Sequence, residues 1–274
     1  MPTPAFPMTP ALSQRLMGSP LVLLLDVDGT LSPIARRPGA AVIPPETRRV
    51  LAELVALPDV HVAVISGRGA EDAARLVAVR GTWTIGNHGF EIADPSGVVT
   101  PHDDVERFRD RIAEAGMQVS EIAKAFPDVL VEDKRWTLSV HYRLIDRDIV
   151  PMLLARVQAV ADDFGLRTTR GKEVIELRPP MDVNKGTAAL DFARTLGALR
   201  AGASLLAAGD DRTDEDAFVA LRRARPDFVT VLVAEGDNIA SNTAAEFSAP
   251  DTESFRRFLE ELLERRRHVE ARAS

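Results

Sequence analysis

Cysteine is absent from the 274 residues, and its absence excludes disulfides, thiolate zinc sites, iron–sulfur clusters and cysteine nucleophiles together. Any metal in this chain is therefore held by oxygen or histidine. Aromatic side chains are few (eleven Phe, two Trp and one Tyr), so the core falls to Leu, Val, Ile and Ala, and stacking platforms for nucleic-acid bases are disfavoured. Cations are in deficit: 34 Lys and Arg stand against 41 Asp and Glu, a formal charge of −7 and the wrong sign for a general binder of phosphate backbones. No apolar run approaches the roughly 20 residues that cross a bilayer. The most apolar segment, residues 21–25, is stopped by Asp26 and is expected to be a buried strand. The first 20 residues hold five prolines and lack the charged start and apolar stretch of a secretory signal. They are expected to form a loose arm ending in a short helix. With neither signal nor thiols, the expected setting is the cytoplasm, without nucleic-acid or membrane partners and as a monomer.

What is present is an ordinary globular composition, 45% apolar, in a length that allows one or two domains. Short apolar runs alternate with amphipathic stretches: strand 21–25, helix 45–57, strand 60–65, helix 69–79. The rhythm resumes late, with helix 185–196, strand 204–208, helix 214–223, strand 229–233 and a closing helix over 254–267. Such βαβα alternation predicts a parallel, Rossmann-like sheet. Between the halves the order becomes αββαββ: helix 105–126, strands 129–131 and 137–142, helix 146–164, strands 166–169 and 174–177. Proline and glycine punctuate the joints at 94–104 and 178–182. The expected plan is thus an arm (1–20), an α/β core (21–102 and 180–274) and an inserted α+β unit (103–179). The basic run Glu264-Arg265-Arg266-Arg267-His268 fits the C-terminal end of the last helix dipole.

The chemistry gathers at strand ends. Asp26-Val27-Asp28-Gly29-Thr30-Leu31 follows the first core strand, where open α/β sheets place ligands. Two carboxylates at i and i+2 of an extended segment point the same way, and their repulsion calls for a cation or a shared proton. Alone, Asp-Gly is equally an ordinary turn. A second cluster, Gly209-Asp210-Asp211-Arg212-Thr213-Asp214-Glu215-Asp216, follows strand 204–208 and opens a helix. Its later acids suit helix capping, but caps do not require the Asp210-Asp211 pair at the strand tip. Two acidic strand tips make an all-oxygen site for a hard divalent cation, most plausibly Mg²⁺. Ser66-Gly67-Arg68 after strand 60–65 can hold an anion through a hydroxyl and backbone N–H groups, and Lys185 opens a helix facing the same sheet edge.

These motifs in this order resemble the haloacid-dehalogenase superfamily, and Gly209-Asp210-Asp211-x-Thr213-Asp214-Glu215-Asp216-x-Phe218 is similar to the signature of trehalose-6-phosphate phosphatases. Ser66-Gly67-Arg68, Asn87-His88-Gly89, Glu176-x-Arg178-Pro179 and Asn184-Lys185-Gly186 extend the likeness over about residues 21–250. The resemblance implies a core carrying a C2-type αββαββ cap, and Mg²⁺-dependent hydrolysis of trehalose 6-phosphate to trehalose and phosphate. Asp26 would be the nucleophile that becomes an aspartyl phosphate, and Asp28 the acid and base. The metal set would be Asp26, the Asp28 carbonyl and Asp210, with Asp211 and Asp214 as ligands or supports. Ser66 and Lys185 would hold the phosphoryl oxygens, completing the catalytic set Asp26, Asp28, Ser66 and Lys185. Substrate contacts would come from Ser66, Gly67, Arg68, Asn87 and His88 in the core and from Glu132, Lys134, Lys172 and Glu176 in the insert, whose closure would exclude bulk water. At Asn87 the sequence departs from the family, which more often carries an acidic residue. Arg143 and Arg170 lie beside the insert strands, and His141 is not assigned. The competing readings are a sucrose-, glucosylglycerol- or mannosylglycerate-phosphate phosphatase, or a non-catalytic sugar-phosphate sensor; intact Asp26, Asp28, Lys185 and Asp210 count against the sensor.

Overall fold

A computed structural model describes residues 3–4, 8–35, 37–171, 173–234 and 243–273. In chain order its elements are β1 (Thr3–Pro4), α1 (Pro10–Arg15), β2 (Leu21–Leu25), α2 (Pro45–Val55), β3 (Val60–Ile65), α3 (Ala70–Val77), β4 (Trp83–Gly86), β5 (Glu91–Ala93), β6 (Val99–Pro101), α4 (Arg109–Ala123), β7 (Leu130–Asp133), β8 (Leu138–His141), α5 (Val150–Asp163), β9 (Arg167–Gly171), β10 (Val174–Arg178), α6 (Lys185–Thr195), β11 (Ser204–Gly209), α7 (Arg212–Ala224), β12 (Val229–Val233), β13 (Phe247–Ala249) and α8 (Thr252–Ala273). They divide into two units: residues 1–100 with 183–274, and residues 101–182.

In the first unit nine strands run β1-β13-β12-β11-β2-β3-β4-β5-β6. β2 pairs parallel with β3 on one side and β11 on the other, with Leu23 opposite Val62 and Leu206. Every residue of β2 is buried, so both of its faces need a helical cover. Alternation supplies two cores. Leu21, Leu23 and Leu25 pack with Val50, Leu51 and Leu54 of α2 and Phe255, Phe258 and Leu262 of α8. Val22 and Leu24 face Phe192 of α6 and Phe218 and Leu221 of α7. The sheet grows from β2 toward β3 and β4 on one side and, after the second unit, toward β11 and β12 on the other, so the carboxyl ends of β2 and β11 flank the switch point where this fold class holds its ligands.

The expected strands and helices of this unit stand close to where patterning put them, and α7 starts early because Asp211 caps it. From Met8 onward the expected loose arm is packed. Thr9 caps α1, Leu12 and Leu16 enter the core, and Arg15 forks onto Glu246 with both N–O distances at 2.7 Å. The Thr-Pro start and the i, i+4 leucines account for this.

The second unit has the αββαββ order. Its sheet runs β7-β8-β10-β9, all antiparallel, and Val140, Ile175, Leu138 and Leu177 pack on Ile112 and Val119 of α4 and Leu153 and Val157 of α5. The opposite face of the sheet is polar. Glu132 lies opposite Ser139, which lies opposite Glu176, which lies opposite Thr169. Among the described residues no helix is long and apolar enough to cross a membrane.

Candidate active site

Four chain segments meet beyond the carboxyl ends of β2, β3 and β11. Asp26 leaves β2 as its N–H donates to Ala208 of β11 at 2.9 Å. At Gly29 the backbone turns with φ +95°, and a Cβ there would collide with the carboxylate of Asp210. Glycine thus allows the first acidic loop to lie directly against the second. Asp211 caps α7, its Oδ1 accepting from Thr213 N at 2.8 Å and Asp214 N at 3.2 Å. Asp214 Oδ2 in return accepts from Asp210 N at 3.0 Å and Asp211 N at 3.1 Å. The capping acids therefore lock the acidic tip into shape as well as starting a helix.

Lys185 is the first residue of α6, held by an Asn184–Thr187 capping box. Its side chain is 2% exposed, and the ammonium donates to Asp26 Oδ1 and to Asp214 Oδ1, both at 2.7 Å. Asp26 Oδ2 is buried and has no hydrogen-bond partner among the described residues. Asp26, Asp210 and Asp214 each offer a carboxylate oxygen, all within 4.8 Å of one another. Burial, opposed by Lys185 and reinforced by Asp210 and Asp211, raises the Asp26 carboxyl to about 7. Burial also pushes Asp214 well above the usual carboxylate range against the pull of Lys185. The Lys185 ammonium, which burial alone would weaken, is held well above its ordinary value by Asp214 and Asp26. Burial would raise Asp211 as well, but Lys185 and the Thr213 and Asp214 donors hold it below the usual range. A single lysine thus neutralises a cluster of close acids only in part. The carboxylates of Asp26, Asp210 and Asp214, hard oxygen donors gathered at one strand-end site, fit a divalent cation such as Mg²⁺.

Ser66 is buried after β3, with its Oγ accepting from Arg68 N at 3.2 Å and its carbonyl accepting from His88 N at 2.9 Å. A Cβ on Gly67 would sit 2.6 Å from His88 Nε2, so glycine here lets the imidazole lie against the Ser66 turn. Arg68 is bound to two carboxylates, with Nε on Asp28 Oδ2 at 2.7 Å, Nη2 on Asp28 Oδ1 at 2.8 Å and Nη1 on Asp72 Oδ2 at 2.9 Å. Asn87 has no exposed surface, and its Nδ2 donates to Glu91 Oε1 at 2.7 Å, which ties it into the loop interior. Glu91, which the sequence reading missed, also accepts from Ala70 N at 2.7 Å and so caps α3. Its capping role carries no local signal, because the helix start it serves lies 21 residues away.

In the second unit Glu176 is buried, and its Oε1 accepts from Lys134 Nζ at 3.2 Å, Thr137 Oγ1 at 3.1 Å and Ser139 Oγ at 3.4 Å. Glu132 Oε2 lies 3.0 Å from His141 Nε2. Glu132, Lys134 and Glu176 therefore form one polar cluster with His141, Thr137 and Ser139, which the sequence reading left out. Arg143 is taken by Glu173 at 3.0 Å, and Arg170 is exposed on β9. Lys172 lies outside the described residues.

The fold is shared with a haloacid dehalogenase-like hydrolase from Bacteroides thetaiotaomicron, which superposes at 13% identity over 88% of this chain and 98% of its own with a TM-score of 0.58. More narrowly, the chain belongs to the trehalose-phosphatase family, whose model matches residues 24–253. It is 38% identical over 248 residues to a trehalose-phosphate phosphatase of Mycobacterium avium, covering 90% of this chain and 63% of that one. It is 36% identical over 254 residues to an uncharacterized glycosyl hydrolase of Mycobacterium tuberculosis, covering 92% of this chain and 19% of that protein. The chain thus spans less than two thirds of the length of these curated relatives. A crystal structure of a trehalose-6-phosphate phosphatase related protein is similar at 28% identity and a TM-score of 0.76, covering 89% of this chain and 97% of that one.

Proposed function

We propose that this chain hydrolyses trehalose 6-phosphate to trehalose and phosphate through an aspartyl-phosphate on Asp26. The carrying observation is the Asp26 carboxylate itself: Oδ1 is fixed by Lys185 at 2.7 Å while Oδ2 is buried without a donor among the described residues, so one oxygen is anchored and the other kept free to react. A buried carboxylate that keeps its anionic form only beside Lys185 and a cation is a strong nucleophile when those partners are in place. Asp26 Oδ2 forms a bond to phosphorus as the bond from phosphorus to the sugar oxygen breaks, and Asp28 gives that oxygen a proton. Asp28 then takes a proton from water as the water oxygen bonds to phosphorus and the Asp26–phosphorus bond breaks. Splitting the transfer in two lets one carboxylate act covalently and its neighbour as acid and base. Ser66 Oγ, buried at the end of β3, and Lys185 Nζ, bound to Asp26, are the groups we assign to the phosphoryl oxygens.

Mg²⁺ is the cation we assign to the acidic tip, with Asp26, Asp210, Asp214 and the Asp28 carbonyl as its holders and Asp211 as the cap that shapes them. When bound it offsets the repulsion between the anionic nucleophile and the anionic phosphate. Specificity for the disaccharide rests on Glu132, Lys134 and Glu176, since charged acceptors and donors on one sheet face suit a polyol whose hydroxyls both give and accept. The family match and the named trehalose-phosphate phosphatase relatives support this choice of sugar. The test is Asp26→Asn: phosphate release from trehalose 6-phosphate should vanish with the circular-dichroism spectrum unchanged. Substantial residual turnover would rule out Asp26 as nucleophile.

A further inference from the structure

Asp28 is the one acid of the first motif that Lys185 does not touch; its partner is Arg68, 40 residues further along. Both carboxylate oxygens are engaged, Oδ2 by Nε at 2.7 Å and Oδ1 by Nη2 at 2.8 Å. The remaining edge of the guanidinium is tied to Asp72 Oδ2 at 2.9 Å on the first turn of α3. The Arg68 side chain is 10% exposed and that of Asp28 is 39%, so the fork is built into the protein and the acid it grips faces outward. The backbone of Arg68 is fixed too: its N–H donates to Ser66 Oγ and its carbonyl accepts from Asn87 N at 2.7 Å. A two-point fork sets the plane of a carboxylate as well as its distance, which an ammonium cannot do.

We propose that Arg68 is a positioning residue for the acid–base Asp28, in place of the substrate contact expected from the sequence. The inference rests on Asp28 carrying the acid–base role. For Asp28 to hand a proton to the sugar oxygen, one of its oxygens must leave the fork. Arg68 keeps the other, so the carboxyl pivots on a fixed point, and Asp72 keeps the guanidinium from following. Arg68 itself neither gains nor loses a proton: the proton goes from Asp28 to the sugar oxygen as its bond to phosphorus breaks, and a proton from water returns to Asp28 in the second displacement.

Such a role has a signature that a phosphate contact or a scaffold role lacks. A sugar alcohol is a poor leaving group and needs the proton, whereas 2,4-dinitrophenolate leaves without one. The experiment measures the first turnover, phosphorylation alone, by rapid quench with trehalose 6-phosphate and by the dinitrophenolate burst with 2,4-dinitrophenyl phosphate. It compares wild type, Arg68→Ala, Arg68→Lys, Asp72→Asn and Asp28→Asn in the full chain with Mg²⁺. For Arg68→Ala and Arg68→Lys the first turnover on the sugar phosphate should fall about 100-fold, the scale of a misplaced catalytic group. The loss with the dinitrophenyl ester should be at least about ten-fold smaller than that, because proton donation contributes little to it. Asp72→Asn should show the same substrate preference with a loss of a few-fold, and 10–50 mM guanidinium should restore part of the Arg68→Ala rate. Equal losses on both substrates would make Arg68 a phosphate contact, and no loss on either would make it structural; each result overturns the proposal. If Asp28→Asn itself fails to discriminate between the two substrates, the acid–base reading of Asp28 falls. If Asp28→Asn discriminates and the Arg68 variants do not, only the positioning role falls.

Discussion

Removing one charge from the Asp26 cluster should make the metal-free protein more stable, and increasingly so as pH rises. The folded-state carboxyl of Asp26 stands at about 7 against an ordinary 3.8, driven up by burial. Below pH 3.8 this group is protonated in both states and imposes no penalty. As pH rises the unfolded chain releases the proton first, so folding is disfavoured progressively until the native carboxyl also ionises near pH 7, and the penalty is constant above that. At about 1.4 kcal/mol per pKa unit the full penalty is about 4 kcal/mol, of which about 3 kcal/mol develops between pH 5 and pH 8. Asp26→Asn keeps an oxygen for Lys185 and removes the titration. In EDTA its stability advantage over wild type should therefore grow by about 3 kcal/mol from pH 5 to pH 8, a difference of roughly 6–12 °C in Tm for a domain of this size. Differential scanning fluorimetry of both proteins at the two pH values reads this directly. Mg²⁺ at about 100 times its Kd should then stabilise wild type by about 2.7 kcal/mol and the variant much less. A variant whose advantage does not change with pH, or which is less stable than wild type at pH 8, would refute the reasoning.

Lys185→Met strands Asp26 and Asp214 without their shared cation, and urea unfolding in EDTA should show a loss of about 3–5 kcal/mol, partly restored by adding Asp214→Asn. Gly29→Ala forces a Cβ at φ +95° into the Asp210 carboxylate, so stability should fall by more than about 1 kcal/mol. The Mg²⁺ concentration giving half-maximal activity in that variant should rise about 10-fold, as when the supports of a metal site are disturbed. Glu132→Ala and Glu176→Ala should reduce kcat/KM for trehalose 6-phosphate far more than for p-nitrophenyl phosphate; equal reductions would show that the polar face of the insert does not read sugar.

Much of this architecture is legible in the chain because its determinants are local. The run Leu21–Leu25 ending in two acids, the Asn184 and Asp211 caps, and the αββαββ order of the insert are all set by spacing within a few residues. What escaped depends on neighbours distant in sequence. β4 and β13 are four and three residues long and exist because β3 and β12, distant in sequence, offer them an edge. The Arg68–Asp28 fork closes over 40 residues, and the Glu132–His141 pair arises because the β7–β8 register sets His141 diagonally across from Glu132. Asn87 stands in the Asn-His-Gly motif, where a positive φ and a hydrogen bond to the buried Glu91 turn it inward. Alternation in β8 makes His141 an outward residue, but only the register names its partner.

Phosphate release by the purified chain bears most directly on the proposed chemistry. The panel comprises trehalose 6-phosphate and the phosphates of sucrose, glucosylglycerol and mannosylglycerate, each with Mg²⁺ and with EDTA. The expected result is the highest kcat/KM on trehalose 6-phosphate, lost in EDTA and in Asp26→Asn. A preference for another of these phosphates, or binding of trehalose 6-phosphate with no phosphate released, would contradict it.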